Sequence, residues 1–235
     1  MSQLTIIIIA AWLAGLAGCI GGIVALVSGG ENTETKSEIN HGIIAFGGGI
    51  LIAAVAFALL PEAMAVLRPV VLGAMFCFGG LLFCLLDALL SRHGGPKAQL
   101  LAMLMDFLPE ALALGAVFVH DPHLGILLAV FIGAQNLPEG FNAFREMENS
   151  GIRSRMALLI LFAISLFGPL AAWAGYALLQ DQAIITSSIM AFAGGGIVYL
   201  IFQDIAPQAK INQHWVPALG AVLGFAVGMI GKQVL

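Results

Sequence analysis

Residues 45–63 read AFGGGILIAAVAFALLPEA, with a single acid, Glu62, near the end and no basic residue. A helix drawn on this stretch is apolar on every face, so no side of it suits water. Such a helix belongs in a large core or in a bilayer. The whole chain decides between the two. It has 235 residues, 60% hydrophobic and 9% charged, with a mean hydropathy of +1.03. A soluble domain carries about 25% charged residues, because its surface must be covered. The composition therefore defines an all-α integral membrane protein crossing the bilayer several times.

Apolar runs of membrane-spanning length fall at residues 4–27, 42–60, 70–90, 100–119, 124–144, 156–179, 184–205 and 216–230. These give eight expected transmembrane helices in one polytopic domain, 1–235. The first run follows residues 1–4 with no leading positive charge, so no separable signal peptide is expected. Cys19, Cys77 and Cys84 lie in apolar runs without CxxC spacing, which speaks against disulfides.

The opening stretch returns near the other end of the chain. Residues 191–209 read AFAGGGIVYLIFQDIAPQA, and at an offset of 146 Ala45, Phe46, Gly48, Gly49 and Pro61 match Ala191, Phe192, Gly194, Gly195 and Pro207. LGAMFCF at 72–78 echoes LGAVLGF at 219–225, an offset of 147. Leu-Pro-Glu at 108–110 recurs at 137–139, an offset of 29. Each matched pair joins an odd-numbered span to an even-numbered one, so the two copies cross in opposite directions. That is an inverted-topology repeat, a common construction in secondary transporters.

Basic residues set the orientation. Lys36, Arg92, Lys97, Arg145, Arg153, Arg155 and Lys210 follow spans one, three, five and seven, while Arg68 and Lys232 fall on the opposite side. The positive-inside bias places both termini outside the cell membrane.

Asp106 and Glu110 lie within the fourth span, and Glu139 within the fifth, where no span has a central Lys, Arg or His. A carboxylate at the bilayer centre costs at least a few kcal/mol, so it must be protonated or bound to a cation. The spacing favours a cation. Asp106 and Glu110 stand i,i+4 on one helix face, as do Gln135 and Glu139, with Asn136 alongside. Pro109 and Pro138 cannot donate the helical hydrogen bond, so the carbonyls of Met105 and Ala134 are expected to be free. Asp204, near the end of the seventh span, suits an exit station or a solvated interface. Glu62 and Asp87 read as helix-end groups, and His41, His93 and His214 as loop residues. HDPH at 120–123 reads as a turn built on Asp-Pro.

With these residues in place, the chain resembles the ZIP (Zrt/Irt-like) family of divalent-metal transporters. The resemblance rests on the two Leu-Pro-Glu helices, on AFGGGILIAAVAFALLPEAM at 45–64 and on FGGLLFCLLDALL at 78–90. It implies eight helices, both termini outside, a homodimer, and a metal held between the fourth and fifth helices. The family's helix 4 motif, His-Asn-x-Pro-Glu-Gly, is here Asp106-Phe107-Leu108-Pro109-Glu110-Ala111; the helix 5 motif is Gln135-Asn136-Leu137-Pro138-Glu139-Gly140. The implied ligands are Asp106, Glu110 and Glu139, with Gln135 and Asn136 beside them. Phe107 replaces a ligand of the second metal position found in some members, and the sixth span supplies Gly168-Pro169 and Ser165 but no carboxylate. A single all-oxygen site is expected. Family membership implies zinc or iron, whereas an oxygen shell suits harder ions such as Mn, Mg or Ca; Zn, Fe, Mn and Cd are the expected cargo. No resident cofactor and no nucleic-acid partner are expected; the partners are membrane lipid, divalent cations and a second copy of the chain. HExxH and GxSxG are missing, so an enzyme is not expected. A proton-coupled carrier of a small solute and a non-transporting metal sensor remain as alternatives.

Overall fold

The computed structural model describes residues 2–29, 34–91, 96–210 and 215–234. Arg92, His93 and His214 lie outside the described residues, as does the side chain of Lys97. The described chain is helical throughout: α1 (Gln3–Ser28), α2 (Glu34–Val66), α3 (Pro69–Ser91), α4 (Pro96–Val117), α5 (Pro122–Asn149), α6 (Ser154–Leu179), α7 (Ala183–Ala209) and α8 (Val216–Val234). Among the described residues, seven of these are long and apolar enough to cross a membrane; α4, which bears Asp106 and Glu110, is not among them. The protein is an all-α, multi-pass membrane protein. His41 sits inside α2 rather than in a loop, its Nδ1 2.7 Å from the Ser37 carbonyl oxygen.

Local chemistry sets the helix ends. Pro69, Pro96 and Pro122 open α3, α4 and α5, where a missing N–H costs nothing. Asp121 caps α5 by accepting from the Leu124 N–H at 3.0 Å, which gives the acid of HDPH a structural task. Gly29, at φ 66°, ends α1 in a conformation that favours glycine.

Prolines shape the interiors of α2 and α7. Pro61 has no N–H, and its ring would strike the carbonyl four residues back in a regular helix. The chain widens into a π turn over Val55–Leu59, and α7 does the same over Ile201–Ile205 ahead of Pro207. The Leu60 N–H reaches the Val55 carbonyl and the Ala206 N–H reaches that of Ile201. These turns are related by the offset of 146 that relates the sequences.

The packing obeys the same inversion. The closest partners are α1 with α5, α4 with α6, α2 with α8, and α3 with α7. Each interface is a reciprocal glycine contact. A Cβ on Gly49 would overlap the Ala221 carbonyl oxygen, and one on Gly224 that of Phe46. Gly195 and Gly79 stand in the same relation to Phe76 and Phe192. Gly21 and Gly140 do so with Leu137 and Gly18, and Gly115 and Gly175 with Ala172 and Leu112. Exchanging α1 with α6, α2 with α7, α3 with α8 and α4 with α5 maps each contact onto its twin. Small residues allow this backbone approach, from which helices in lipid draw their packing energy.

The twin contacts also correct the register read from the motifs. Gly79 answers to Gly224 and Phe76 to Ala221, an offset of 145 rather than 147. Gly140 answers to Gly115 and Leu137 to Leu112, an offset of 25 rather than 29. The Leu-Pro-Glu phrases are thus one helical turn out of step with the packing symmetry.

Polar contacts collect the odd helices' C-terminal ends. The Arg145 guanidinium of α5 donates to Ser28 Oγ at 2.9 Å and to the Gly29 carbonyl at the end of α1. Asn142 of α5 meets Gln208 of α7, and Tyr199 of α7 donates to Asp87 of α3 at 2.9 Å. Asp87 is therefore a cross-helix partner, not only a solvated end group. At the opposite end Gln3 Nε2 donates to the carbonyls of Phe118 and Val119, at 3.0 and 3.1 Å.

Gly195→Ala should lower the stability of the purified protein by about 1–3 kcal/mol, the scale of an overpacking substitution. Gly73→Ala, with nothing within 4 Å of its Cβ, should not. Equal melting temperatures for the two variants in one detergent would contradict the close α3–α7 contact.

Candidate metal centre

The one-turn register shift determines how the acids gather. By packing symmetry Gln135 is the twin of Glu110, so the two face each other across the pseudo-twofold axis. Asp106 lies one turn before Glu110 on α4. Glu139 lies one turn after Gln135 on α5. Because the helices run in opposite directions, both steps lead the same way, and the carboxylates gather on one side of the axis. Asp106 corresponds to Phe131 and Glu139 to Leu114, both buried apolar residues.

Asp106, Glu110, Gln135 and Asn136 are all buried, at 2%, 1%, 0% and 1% exposure. Gln135 lies between the acids of α4: its Nε2 donates to Asp106 Oδ2 at 3.3 Å and, more closely, to Glu110 Oε2. Asn136 turns toward α1, donating from Nδ2 to the Ala14 carbonyl at 3.0 Å. Four oxygens are left shielded from solvent with no hydrogen-bond partner: Asp106 Oδ1, Gln135 Oε1, Asn136 Oδ1 and Glu139 Oε2. An unsatisfied buried polar atom costs about 1–3 kcal/mol, and more when charged. No basic side chain pairs with these acids among the described residues. The unmet demand is for a proton, a hydrogen-bond donor or a cation.

Among the described residues, no three His, Cys, Asp or Glu side chains form a ready cage for a metal ion. The amide of Gln135 occupies the gap between Asp106 and Glu110, so an ion there must draw the acids together or turn the amide oxygen inward. Asn136 reaches α1 instead of joining the acids, although its Oδ1 remains unpaired.

Glu139 is half-buried and lines a cavity of about 40 Å³. Asp204 shares that cavity, brought into it by the π turn of α7, with Asn142, Gln208, Ile44 and Gly47 among its other walls. Asp204 thus shares with Glu139 a cavity that Asp106, Glu110 and Gln135 do not line. Sequence reading missed Asn142 and Gln208. The signal was present, since Asn142 is i+3 from Glu139 and Gln208 is i+4 from Asp204, but nothing in the sequence joins α5 to α7. A separate cavity of about 500 Å³ between α1, α2, α5 and α8 is lined mainly by apolar groups such as Phe46, Leu137 and Leu223.

Phe107 is 1% exposed, and its ring fills a niche left by Gly15 and Gly168. Helix α6 breaks at Leu166, three residues ahead of Pro169, and this bend presents Gly168 to the ring.

Acids sequestered within a helical membrane bundle mark a candidate site for an ion or a proton. No protein-family model matches the chain. Two curated relatives do. The chain is 28% identical over 145 residues to a protein named zinc transporter GufA from Myxococcus xanthus, covering 59% of this chain and 57% of that protein. It is 26% identical over 147 residues to one named zinc transporter ZIPB from Bordetella bronchiseptica, covering 58% and 48% respectively. The match thus spans about half the length of each relative. The chain is thus similar, over part of its length, to two bacterial proteins named as zinc transporters.

A cation that binds this site stabilises the folded protein by mass action, about 2.7 kcal/mol at a hundred times its dissociation constant. Zinc or manganese should therefore raise the melting temperature of the purified protein. The same titration on Glu110→Gln should give at most a small part of that rise, and an equal rise would place the stabilising ion elsewhere.

Proposed function

We propose that the protein carries divalent cations across the cell membrane through a single oxygen-lined site between α4 and α5. One observation carries this reading: buried acid and amide oxygens converge between two helices, with no basic group to balance them. The names of the two relatives, both zinc transporters, support the same cargo class.

The chemistry follows from charge and hydration. An entering ion exchanges water for the carboxylates of Asp106, Glu110 and Glu139 and the amide oxygens of Gln135 and Asn136. Gln135 turns its Oε1 toward the ion, and the hydrogen bonds that its Nε2 makes to Asp106 and Glu110 give way to ligation. Oxygen donors accept zinc and favour manganese and other harder ions. The Phe107 ring, seated against Gly15 and Gly168, leaves no ligand for a second metal beside the first. Asp204, in the cavity that Glu139 lines, offers the departing ion its next carboxylate.

Helix α4 completes eight spans, despite its lower hydropathy, by packing against α5, α6 and α7. Lys36, Arg145 and Lys210 lie near the gathered C-terminal ends of α1, α5 and α7, so that end faces the cytoplasm and both termini face out. The family resemblance adds assembly as a homodimer.

In proteoliposomes, Zn²⁺ or Mn²⁺ flux should fall at least about 100-fold in Asp106→Ala and Glu139→Ala while both variants still insert, since even outer partners of a metal ligand are worth 10–100-fold. Ligation requires ionised carboxylates, so acid should weaken uptake and neutralisation restore it. Unchanged flux in either variant removes the site. Proton flux that persists without any divalent cation points to the proton-coupled carrier instead.

A further inference from the structure

The cavity beside Glu139 has two unlike walls. One holds oxygen-bearing side chains from two helices: Glu139 and Asn142 of α5, and Asp204 and Gln208 of α7. Their i,i+3 and i,i+4 spacings put an acid and an amide on one face of each helix, a turn apart. Ile44, Gly47, Gly48 and Leu51 of α2 face them and bring no polar side chain. The glycines keep that wall near: a Cβ on Gly47 would press on the Pro138 ring, and one on Gly48 on Ile205. The cavity, about 40 Å³, has room for roughly three waters, enough for a partly hydrated ion. Glu139 Oε2 is shielded from solvent and unpartnered. At the exposed edge, Asn142 Nδ2 donates to Gln208 Oε1 at 2.7 Å, tying α5 to α7.

We propose that Asn142 and Gln208 form an amide lip completing a second ion station with Glu139 and Asp204, and that loosening this lip releases the ion. The inference rests on the transport reading above, with which it shares Glu139. Two acids balance the charge of a divalent ion, and two neutral amides add oxygens without adding charge. With Glu139 shared between the two, this station offers one further acid where the α4–α5 site offers two, so it holds its ion less tightly, which suits a point of departure. The ion also competes with the Asn142 N–H for Gln208 Oε1, so occupancy weakens the bond that closes the edge. Asp204 sits on the widened π turn of α7, and Gln208 follows one turn later.

The test uses the full chain, with equilibrium Mn²⁺ and Zn²⁺ binding in detergent and flux in proteoliposomes. Wild type should bind two ions per chain, one more weakly. Asn142→Leu and Gln208→Leu should each lose the weaker ion, keep the tighter one, and slow flux at least about tenfold. Asn142→Asp replaces the amide nitrogen with a second, charged oxygen to which Gln208 Nε2 can donate, so it should keep both ions and tighten the weaker one several-fold, a change that a packing role would not produce. Retained tight binding in the leucine variants shows that they are folded. A single ion in wild type, unchanged flux in both leucine variants, or an unaltered weaker affinity in Asn142→Asp would each overturn the lip while leaving the α4–α5 site standing. Glu139→Gln with both ions and full flux would instead remove the transport reading itself.

Discussion

Negative oxygen in a hydrocarbon-embedded bundle, with no positive side chain to meet it, is the constraint on which this structure turns. A carboxylate taken from water into a low-dielectric interior loses several kcal/mol of hydration and must recover it locally. Asp106 and Glu110 recover part of it from one amide, Gln135, whose Nε2 donates to both, while Glu139 takes nothing from that amide. The remainder is left on unpartnered oxygens. A protein that needed these residues only for packing would stand to gain by losing the charge, since well-packed apolar substitutes for buried charges are often neutral or stabilising. Their concentration on one side of the axis, with buried Phe131 and Leu114 at the symmetry-equivalent positions on the other, supports the proposed ion path.

The scaffold explains how a symmetric fold makes an asymmetric site. Four glycine-mediated interfaces fix the pseudo-twofold, and the reciprocity of Gly49–Ala221 and Gly224–Phe46 with Gly195–Phe76 and Gly79–Phe192 leaves little freedom in its register. The Leu-Pro-Glu phrases ride on this scaffold one turn out of phase. Had they been in phase, Glu110 and Glu139 would face each other across the axis. Shifted, Glu110 faces Gln135, and the acids fall together toward the cavity holding Asp204. The matched prolines of α2 and α7 act alike in both helices, each producing a π turn, but only the α7 turn carries an acid. The same device yields a packed wall in α2, where Ala58 and Leu59 are fully buried, and a polar one in α7.

Much of this was legible in the sequence. The offset of 146 between α2 and α7 survives in residues the fold uses directly, the contact glycines and the kinking prolines. The i,i+4 spacing of Asp106 with Glu110 and of Gln135 with Glu139 follows from helical geometry alone, as does the turn role of Asp121. What escaped needed tertiary register. Local motif matching gave an offset of 29 for α4 and α5, whereas interhelical contact at Gly115 and Gly140 sets 25. Asn136 sits next to Gln135 in the chain, yet one residue is a rotation of about 100° on a helix, enough to aim it at Ala14 in α1. Asn142 and Gln208 went unremarked, since nothing in either helix foretells that they meet. His41 fell in a polar stretch that proved to be the first turns of α2.

The most direct test is to locate the ion itself by anomalous scattering from crystals of the full chain grown with Mn²⁺ or Zn²⁺. The account predicts a peak between α4 and α5, with carboxylate oxygens of Asp106, Glu110 and Glu139 at about 2.0–2.2 Å and Gln135 turned to present Oε1. Anomalous density confined to exposed histidines and acids of the loops, with Gln135 still donating to both acids of α4, would contradict it.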